Sequence, residues 1–193
     1  MSRMKLLMGI SCMMVLVLSI GFFIGFVSYV PIHRGRTKRQ SDQRQRTEEA
    51  QLTEYIDKAA PVIVSETLDG EKWRLADQRG KIVLVFYWSV LCGHCIDVIP
   101  TMNSIYSKYG KREDFLLVGV HRFPDREIIA CYCATLDILW PQLYEMGESG
   151  KTGFFEKMDI KRTPSICIID REGTVRGIYT DVNEVEKEVR GLL

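Results

Sequence analysis

Cys92-Gly93-His94-Cys95 is the part of this 193-residue chain whose residue types and spacing carry the plainest chemistry, two thiols held two residues apart. Such a pair can close on itself as a disulfide and reopen, so it reads as a redox-active dithiol. Its surroundings set the geometry. Lys81 through Trp88 is a nearly unbroken apolar, β-branched and aromatic run, the pattern of a central strand buried on both faces. From Cys95 to Lys108, the residues Ile96, Val98, Ile99, Met102, Ile105 and Tyr106 recur at helical spacing. Cys92 therefore stands at a predicted helix N-terminus, where free N–H groups and the helix dipole favour negative charge. A thiol so placed loses its proton more readily, and the thiolate is the species that attacks a disulfide.

The chain is 46% hydrophobic with a formal charge of +1, which fits one domain plus an extension and gives no support to nucleic-acid binding. Residues 6–30 hold no charged side chain, and a helix needs about 20 such residues to cross a bilayer's hydrocarbon core. The run exceeds a typical signal-peptide apolar region, and no Ala-x-Ala-like site ends it, since the first alanine is Ala50. An uncleaved anchor over residues 1–30 is expected, contacting lipid through residues 6–30. Arg3 and Lys5 precede the span, whereas His33, Arg34, Arg36, Lys38, Arg39, Arg44 and Arg46 follow it. The positive-inside tendency would place that side in the cytoplasm. A tethered dithiol has its obvious work on the oxidising side, where protein disulfides persist, so the expected placement is extracytoplasmic, against the charge count. The basic run is expected to meet anionic headgroups. Residues 31–58 read as a charged linker that cannot fold alone, with 47–58 able to form a short helix, and 59–193 as the folded domain.

Within the domain, Val62-Ile63-Val64 is a short strand candidate, and Asp69-Gly70 turns the chain into Lys72-Trp73-Arg74-Leu75. Phe115 to Val120 reads as a second buried strand. Asp125 to Asp137 reads as a helix with Ile128, Ile129, Tyr132, Cys133 and Leu136 inward. Ser165 to Ile169 is a third strand, turned by Asp170-Arg171-Glu172-Gly173 into Thr174 to Tyr179. The last helix has Asp181 as its N-cap, Glu184 three residues on, and Val185, Val189 and Leu192 on one face. Strands alternating with helices, then a closing hairpin, imply an α/β domain with a mixed central sheet flanked by helices.

The aromatic-ended strand, the Cys92–Cys95 dithiol, Pro100, Trp140-Pro141 and Arg162-Thr163-Pro164 together resemble the thioredoxin superfamily, from about residue 60 onward. The chain is similar to the membrane-anchored TlpA/ResA-type thiol-disulfide oxidoreductases of bacteria. The resemblance implies a thioredoxin fold, preceded here by the N-terminal transmembrane helix, and a catalytic domain in the periplasm. It implies Cys92 as nucleophile and a more buried Cys95 as the resolving thiol that breaks the mixed disulfide. Pro164 would be in the cis form beside the dithiol, with Thr163 offering backbone to an extended substrate. The substrate surface would comprise Thr163, Pro164, Leu91 and Trp88. Implied partners are protein thiols and disulfides and a membrane or extracytoplasmic redox protein that recharges the dithiol. No dissociable cofactor and no metal is required.

Departures from the family pattern are informative. The position before the first cysteine, commonly tryptophan, is Leu91. The buried aspartate that thioredoxins carry six residues before that cysteine is Phe86. Relatives of the ResA type would supply a carboxylate from the segment after the following strand, where Asp125 and Glu127 fall, although the plainer reading of both is an N-cap and a solvated helix face. Protein disulfide isomerases share the Gly-His dipeptide, and an imidazole near the thiolate stabilises the reduced form, which makes His94 a candidate for a more oxidising dithiol. Cys131 and Cys133 lie two apart on a predicted helix and point to different faces, so a bridge between them would demand distortion. Cys167, in a predicted strand, reads as a small buried hydrophobe. Two rival functions remain on the same fold. One is a peroxiredoxin-type peroxidase, suggested by Ser89-Val90-Leu91-Cys92 but lacking that family's proline at Val85. The other is a copper chaperone using Cys92, Cys95 and a histidine such as His121.

Overall fold

The computed structural model describes residues 54–146 and 149–193. The expected span over residues 6–30 lies outside them, and among the described residues no helix is long and apolar enough to cross a membrane. The strands are β1 (Val64–Thr67), β2 (Lys72–Arg74), β3 (Ile82–Tyr87), β4 (Phe115–His121), β5 (Gln142–Tyr144), β6 (Ser165–Ile169) and β7 (Val175–Tyr179). The helices are α1 (Gly93–Tyr109), α2 (Arg126–Thr135), α3 (Ser149–Thr152), α4 (Phe154–Lys157) and α5 (Val182–Leu192), with one 3-10 turn at Leu75–Gln78.

All six residues of β3 are buried, and the alternation of a strand sends them to opposite faces. Ile82, Leu84 and Phe86, with Trp88 beyond them, pack with Cys95, Val98, Ile99, Met102 and Ile105 of α1 and with Val185 and Val189 of α5. Val83, Val85 and Tyr87 pack on the other side with Val118, Val120, Leu143, Phe154, Phe155 and Met158. A strand with two apolar faces needs cover on both, and the helices supply it. The sheet order is β2-β1-β5-β4-β3-β6-β7. β4 runs parallel to β3 and β5, while β6 is antiparallel to β3. β3, β4 and β5 therefore end at one edge, where α1 and α2 begin.

The expected mixed sheet with flanking helices is present, with corrections to individual elements. The first strand begins at Val64 rather than Val62, which is 81% exposed. Pairing decides the register, since Val64 faces Arg74, and Glu66 faces both Lys72 and Tyr144. β5, α3 and α4, of three or four residues each, escape sequence reading because no period develops over so few positions. α2 buries Ile129 and Cys133 but leaves Ile128 and Tyr132 about 40% exposed, so its inward stripe is narrower than expected. Tyr55 to Lys58, read from sequence as linker, is tied to the domain. The Asp57 N–H donates to Val175 O, the Val175 N–H donates to Lys58 O, and Tyr55 packs beside the Phe154 cluster.

Gly119 lies inside β4, opposite Gln142 of β5. A Cβ there would collide with the Gln142 carboxamide, which lies over the glycine. Gly119→Ala is therefore expected to lower the unfolding free energy by about 1–3 kcal/mol through overpacking. Adding Gln142→Ala should give a double-mutant loss smaller than the sum of the singles. Urea unfolding of the four proteins of the cycle checks this, and strict additivity would show that the two residues do not compete for the space.

Candidate active site

β3 ends at Tyr87, and Trp88 to Leu91 carry the chain to Cys92, whose N–H donates to Ser89 O at 3.0 Å. Cys92 has extended dihedrals and is the N-cap of α1, its sulfur accepting the Cys95 N–H at 3.2 Å. A cap residue normally supplies an oxygen for this purpose; here a sulfur does, and it is also bonded to Cys95. The two Cα atoms are 5.2 Å apart, ordinary for a disulfide. Cys95 is fully buried in the α1 face of the core, while Cys92 is half-buried. Gly93 has open space where a side chain would stand, and His94 is exposed.

The structure brings the downstream tripeptide to this point. Thr163–Pro164 is a cis peptide, and the Thr163 carbonyl oxygen lies 3.6 Å from Cys92 Sγ. A Cys92 thiol in the opened pair could donate to it. Pro164 is buried, Thr163 half-buried and Leu91 80% exposed. Trp88, expected on the substrate surface, is instead fully buried. Its indole stacks on Phe86 and its Nε1–H donates to Gln142 Oε1 at 3.1 Å, so it supports the dithiol loop from beneath.

Behind Trp88 lies a polar group that sequence reading did not assemble. His121 is fully buried, its ring edge-on to Trp88 with centroids 4.4 Å apart, and its Nε2 is 2.8 Å from Gln142 Oε1. The Gln142 Nε2–H donates to Trp140 O at 2.9 Å, which fixes the amide orientation and assigns the imidazole proton to Nε2. Burial lowers the His121 pKa to about 4, against a smaller opposing effect of the Gln142 bond. Gly119 was the available signal, since a strand glycine often marks a close approach. His121 has its Nε2 paired with Gln142 Oε1 and its Nδ1 without a partner, and among the described residues no cluster of three metal-ligating side chains occurs to support the copper reading.

The carboxylate candidates resolve as the plainer reading had them. Asp125 caps α2 by accepting the Ile128 N–H at 3.0 Å, and Glu127 is exposed. The buried carboxylate is Glu145, just after β5, 1% exposed and on the sheet face opposite Cys95. No signal in the sequence pointed to it. Burial raises its pKa to about 7, against the opposing pull of the Phe155 and Phe154 N–H groups. Cys131 and Cys133 are both free, Cys131 exposed and Cys133 buried with its thiol pushed up to about 11 by burial. Cys167 is free and buried as expected.

Relatives agree with this geometry. The profile of the Thioredoxin-like family matches residues 80–175, a segment holding the dithiol and Pro164. The chain belongs to the thioredoxin superfamily. It is 28% identical over 124 residues to the thioredoxin-like protein YneN of Bacillus subtilis, covering 62% of this chain and 68% of that one. To the thiol-disulfide oxidoreductase ResA of Bacillus cereus it is 27% identical over 120 residues, 62% of this chain and 66% of that one. The thioredoxin domain of a thiol-disulfide oxidoreductase from Bacteroides vulgatus superposes with a TM-score of 0.64 at 24% identity, over 70% of this chain and 96% of that domain, and shows the shared fold. This superfamily member is ResA-like, an oxidoreductase of the thiol-disulfide class.

His121 yields a signed pH prediction. Its folded pKa of about 4 lies below the ordinary histidine value of 6.5, so between those pH values the unfolded chain binds more protons. Its contribution is full above 6.5 and is lost as pH falls toward 4; the shift corresponds to about 3 kcal/mol. The gap in unfolding free energy between the native protein and a His121→Asn variant should therefore narrow over that interval. Chemical denaturation at a series of pH values checks it, and a constant gap would contradict the neutral buried imidazole.

Proposed function

We propose that the protein exchanges disulfides with extracytoplasmic proteins through Cys92 and Cys95 while tethered to a membrane by residues 6–30. The observation that carries the reading is the asymmetry of the pair, a half-buried Cys92 at a helix start closed onto a fully buried Cys95. An incoming group can reach only the first sulfur. In the oxidising direction a substrate thiolate attacks Cys92 Sγ, the Cys92–Cys95 bond breaks, and Cys95 leaves as the thiolate and takes a proton. A second substrate thiolate then attacks the substrate sulfur of the mixed disulfide and releases Cys92 as a thiolate. The substrate loses two electrons and the dithiol gains them. The reducing direction is the reverse, with Cys92 attacking and Cys95 resolving.

Thr163 and Pro164 offer the adjoining backbone to an extended substrate segment, with the Thr163 carbonyl already within 3.6 Å of Cys92. Leu91, exposed beside Cys92, gives that surface an apolar contact. Placement outside the cytoplasm is supported by the uncharged run of residues 6–30 and by the chemistry, because an oxidising compartment is where protein disulfides persist. His94 is exposed in the first turn of α1, two residues from Cys92, and an imidazole brought near the Cys92 thiolate favours the opened dithiol, which would bias the pair toward oxidising its substrates.

A Cys95→Ser variant lacks the resolving thiol and should accumulate mixed disulfides on Cys92 in cells. These should sediment with membranes and be reached by a thiol-specific reagent that does not cross the bilayer. Failure to trap any protein would sink the exchange reading, and trapping confined to soluble cytoplasm would sink the tether. The role of His94 has its own readout. His94→Pro should move the dithiol potential in the reducing direction on equilibration with glutathione, and an unchanged or more oxidising potential would remove that role.

A further inference from the structure

We propose that Glu145 is a positioning residue for dithiol exchange, its carboxylate clamping the segment that carries Thr163 and Pro164 and releasing that clamp when it is protonated. The proposal rests on the exchange chemistry assigned to Cys92, Cys95 and the Thr163 carbonyl. Glu145 follows β5, where its own N–H donates to His121 O at 2.8 Å, so its backbone is anchored at the sheet edge from which the dithiol helix starts. Its side chain accepts the Phe154 N–H at 2.7 Å on Oε1 and the Phe155 N–H at 3.0 Å on Oε2. A Cβ on Gly153 would run into this carboxylate, so the approach depends on glycine at that position.

The clamp is connected to the site by packed groups. Phe154 and Phe155 both lie edge-to-face on Tyr87, with centroids 6.1 and 5.1 Å apart. Tyr87 donates its hydroxyl to Met158 Sδ at 3.5 Å and is the register partner of Ser165, the residue after Pro164. From Met158 the chain continues through Ile160, also buried in this cluster, to Thr163. Holding α4 against Tyr87 therefore holds one end of the segment whose other end faces Cys92.

An ionised carboxylate accepts both N–H groups, whereas a protonated one carries a hydrogen on one oxygen and leaves one N–H without its acceptor. The groups facing Glu145 are Ser65 from β1, Tyr87 from β3, Arg122 after β4 and the Phe154 and Phe155 amides; Cys167 of β6 and Tyr55 face Tyr87 beside it. Arg122 is the charged member, and it also pairs with the exposed Glu156. Because the folded pKa of about 7 exceeds the ordinary glutamate value of 4.5, the folded chain binds the extra proton between them. Global stability from this group thus falls as pH rises across that interval, while the local clamp tightens as pH passes through 7. Two opposite trends from one carboxylate separate a clamp from general acid unfolding.

The test uses the oxidised full-length protein, in which neither Cys92 nor Cys95 titrates, and follows amide exchange at Phe154 and Phe155 from roughly pH 5.5 to roughly pH 8.5, corrected for intrinsic rates. Protection should rise about fivefold through neutral pH, the worth of one hydrogen bond, and Glu145→Gln should stay at the low-pH level throughout. The rate at which a dithiol-bearing substrate protein reduces the Cys92–Cys95 disulfide, its thiolates attacking Cys92 and leaving as the substrate disulfide, should fall in Glu145→Gln relative to native at alkaline pH and match it at acid pH. Protection independent of pH in the native protein, a step that survives Glu145→Gln, or exchange rates that ignore the variant at every pH would each overturn the proposal. If Glu145→Gln does not fold, the native amide titration still decides. A native protein that exchanges no disulfides, yet shows the amide step, would instead overturn the assigned chemistry and with it the link to Thr163.

Discussion

The burial of β3 on both faces is the constraint from which the rest of the structure follows. Six consecutive buried residues cannot be exposed without losing the core, so helices must cover each side of the sheet. The chain that leaves β3 has to turn back at once to supply one of them. α1 therefore starts within a few residues of the strand end, and its N-cap falls on Cys92. Cys95, one turn on, lands on the core-facing side and is fully buried. The chemical inequality of the two sulfurs is a product of helix periodicity acting at that boundary, before any further group is invoked.

The same sheet edge collects the buried polar groups. Trp88, His121 and Gln142 share one hydrogen-bonded cluster on the dithiol face, and Glu145 holds the facing segment from the other. Buried polar atoms are costly unless they are paired, so the bonds from Trp88 and His121 to Gln142 Oε1 favour one arrangement of the three side chains, with His121 Nδ1 left without a partner. Gly119 shows how far the backbone accommodates it, giving up its side chain so that the Gln142 amide can lie across the strand.

Legibility from sequence tracked the length and periodicity of each element. β3, β4, β6, α1 and α5 were readable because their apolar patterns run for five residues or more. The dithiol could be placed because its two neighbours are the strongest patterns in the chain, and Thr163-Pro164 because of its resemblance to a family motif. β5 has three residues, and Gln142 at its start and Glu145 just after its end look like surface positions when read alone. Their burial comes from partners distant in sequence, Trp88 and His121 for one and the Phe154 and Phe155 amides for the other, and no local pattern announces such pairing. Resemblance places Trp88 on the substrate surface, but strand alternation continues one residue past β3 and turns its ring inward.

The central claim is that the two sulfurs of one dithiol differ in access and role because one caps α1 and the other lies under it. Reducing the protein and measuring, cysteine by cysteine with mass spectrometry, the rate of alkylation as a function of pH tests it most directly. The account predicts rapid modification of Cys92 persisting well below the free-thiol pKa of about 8.5, with Cys95 modified far more slowly across the same range. Equal rates at the two cysteines, or a Cys92 that behaves as an ordinary free thiol, would contradict it.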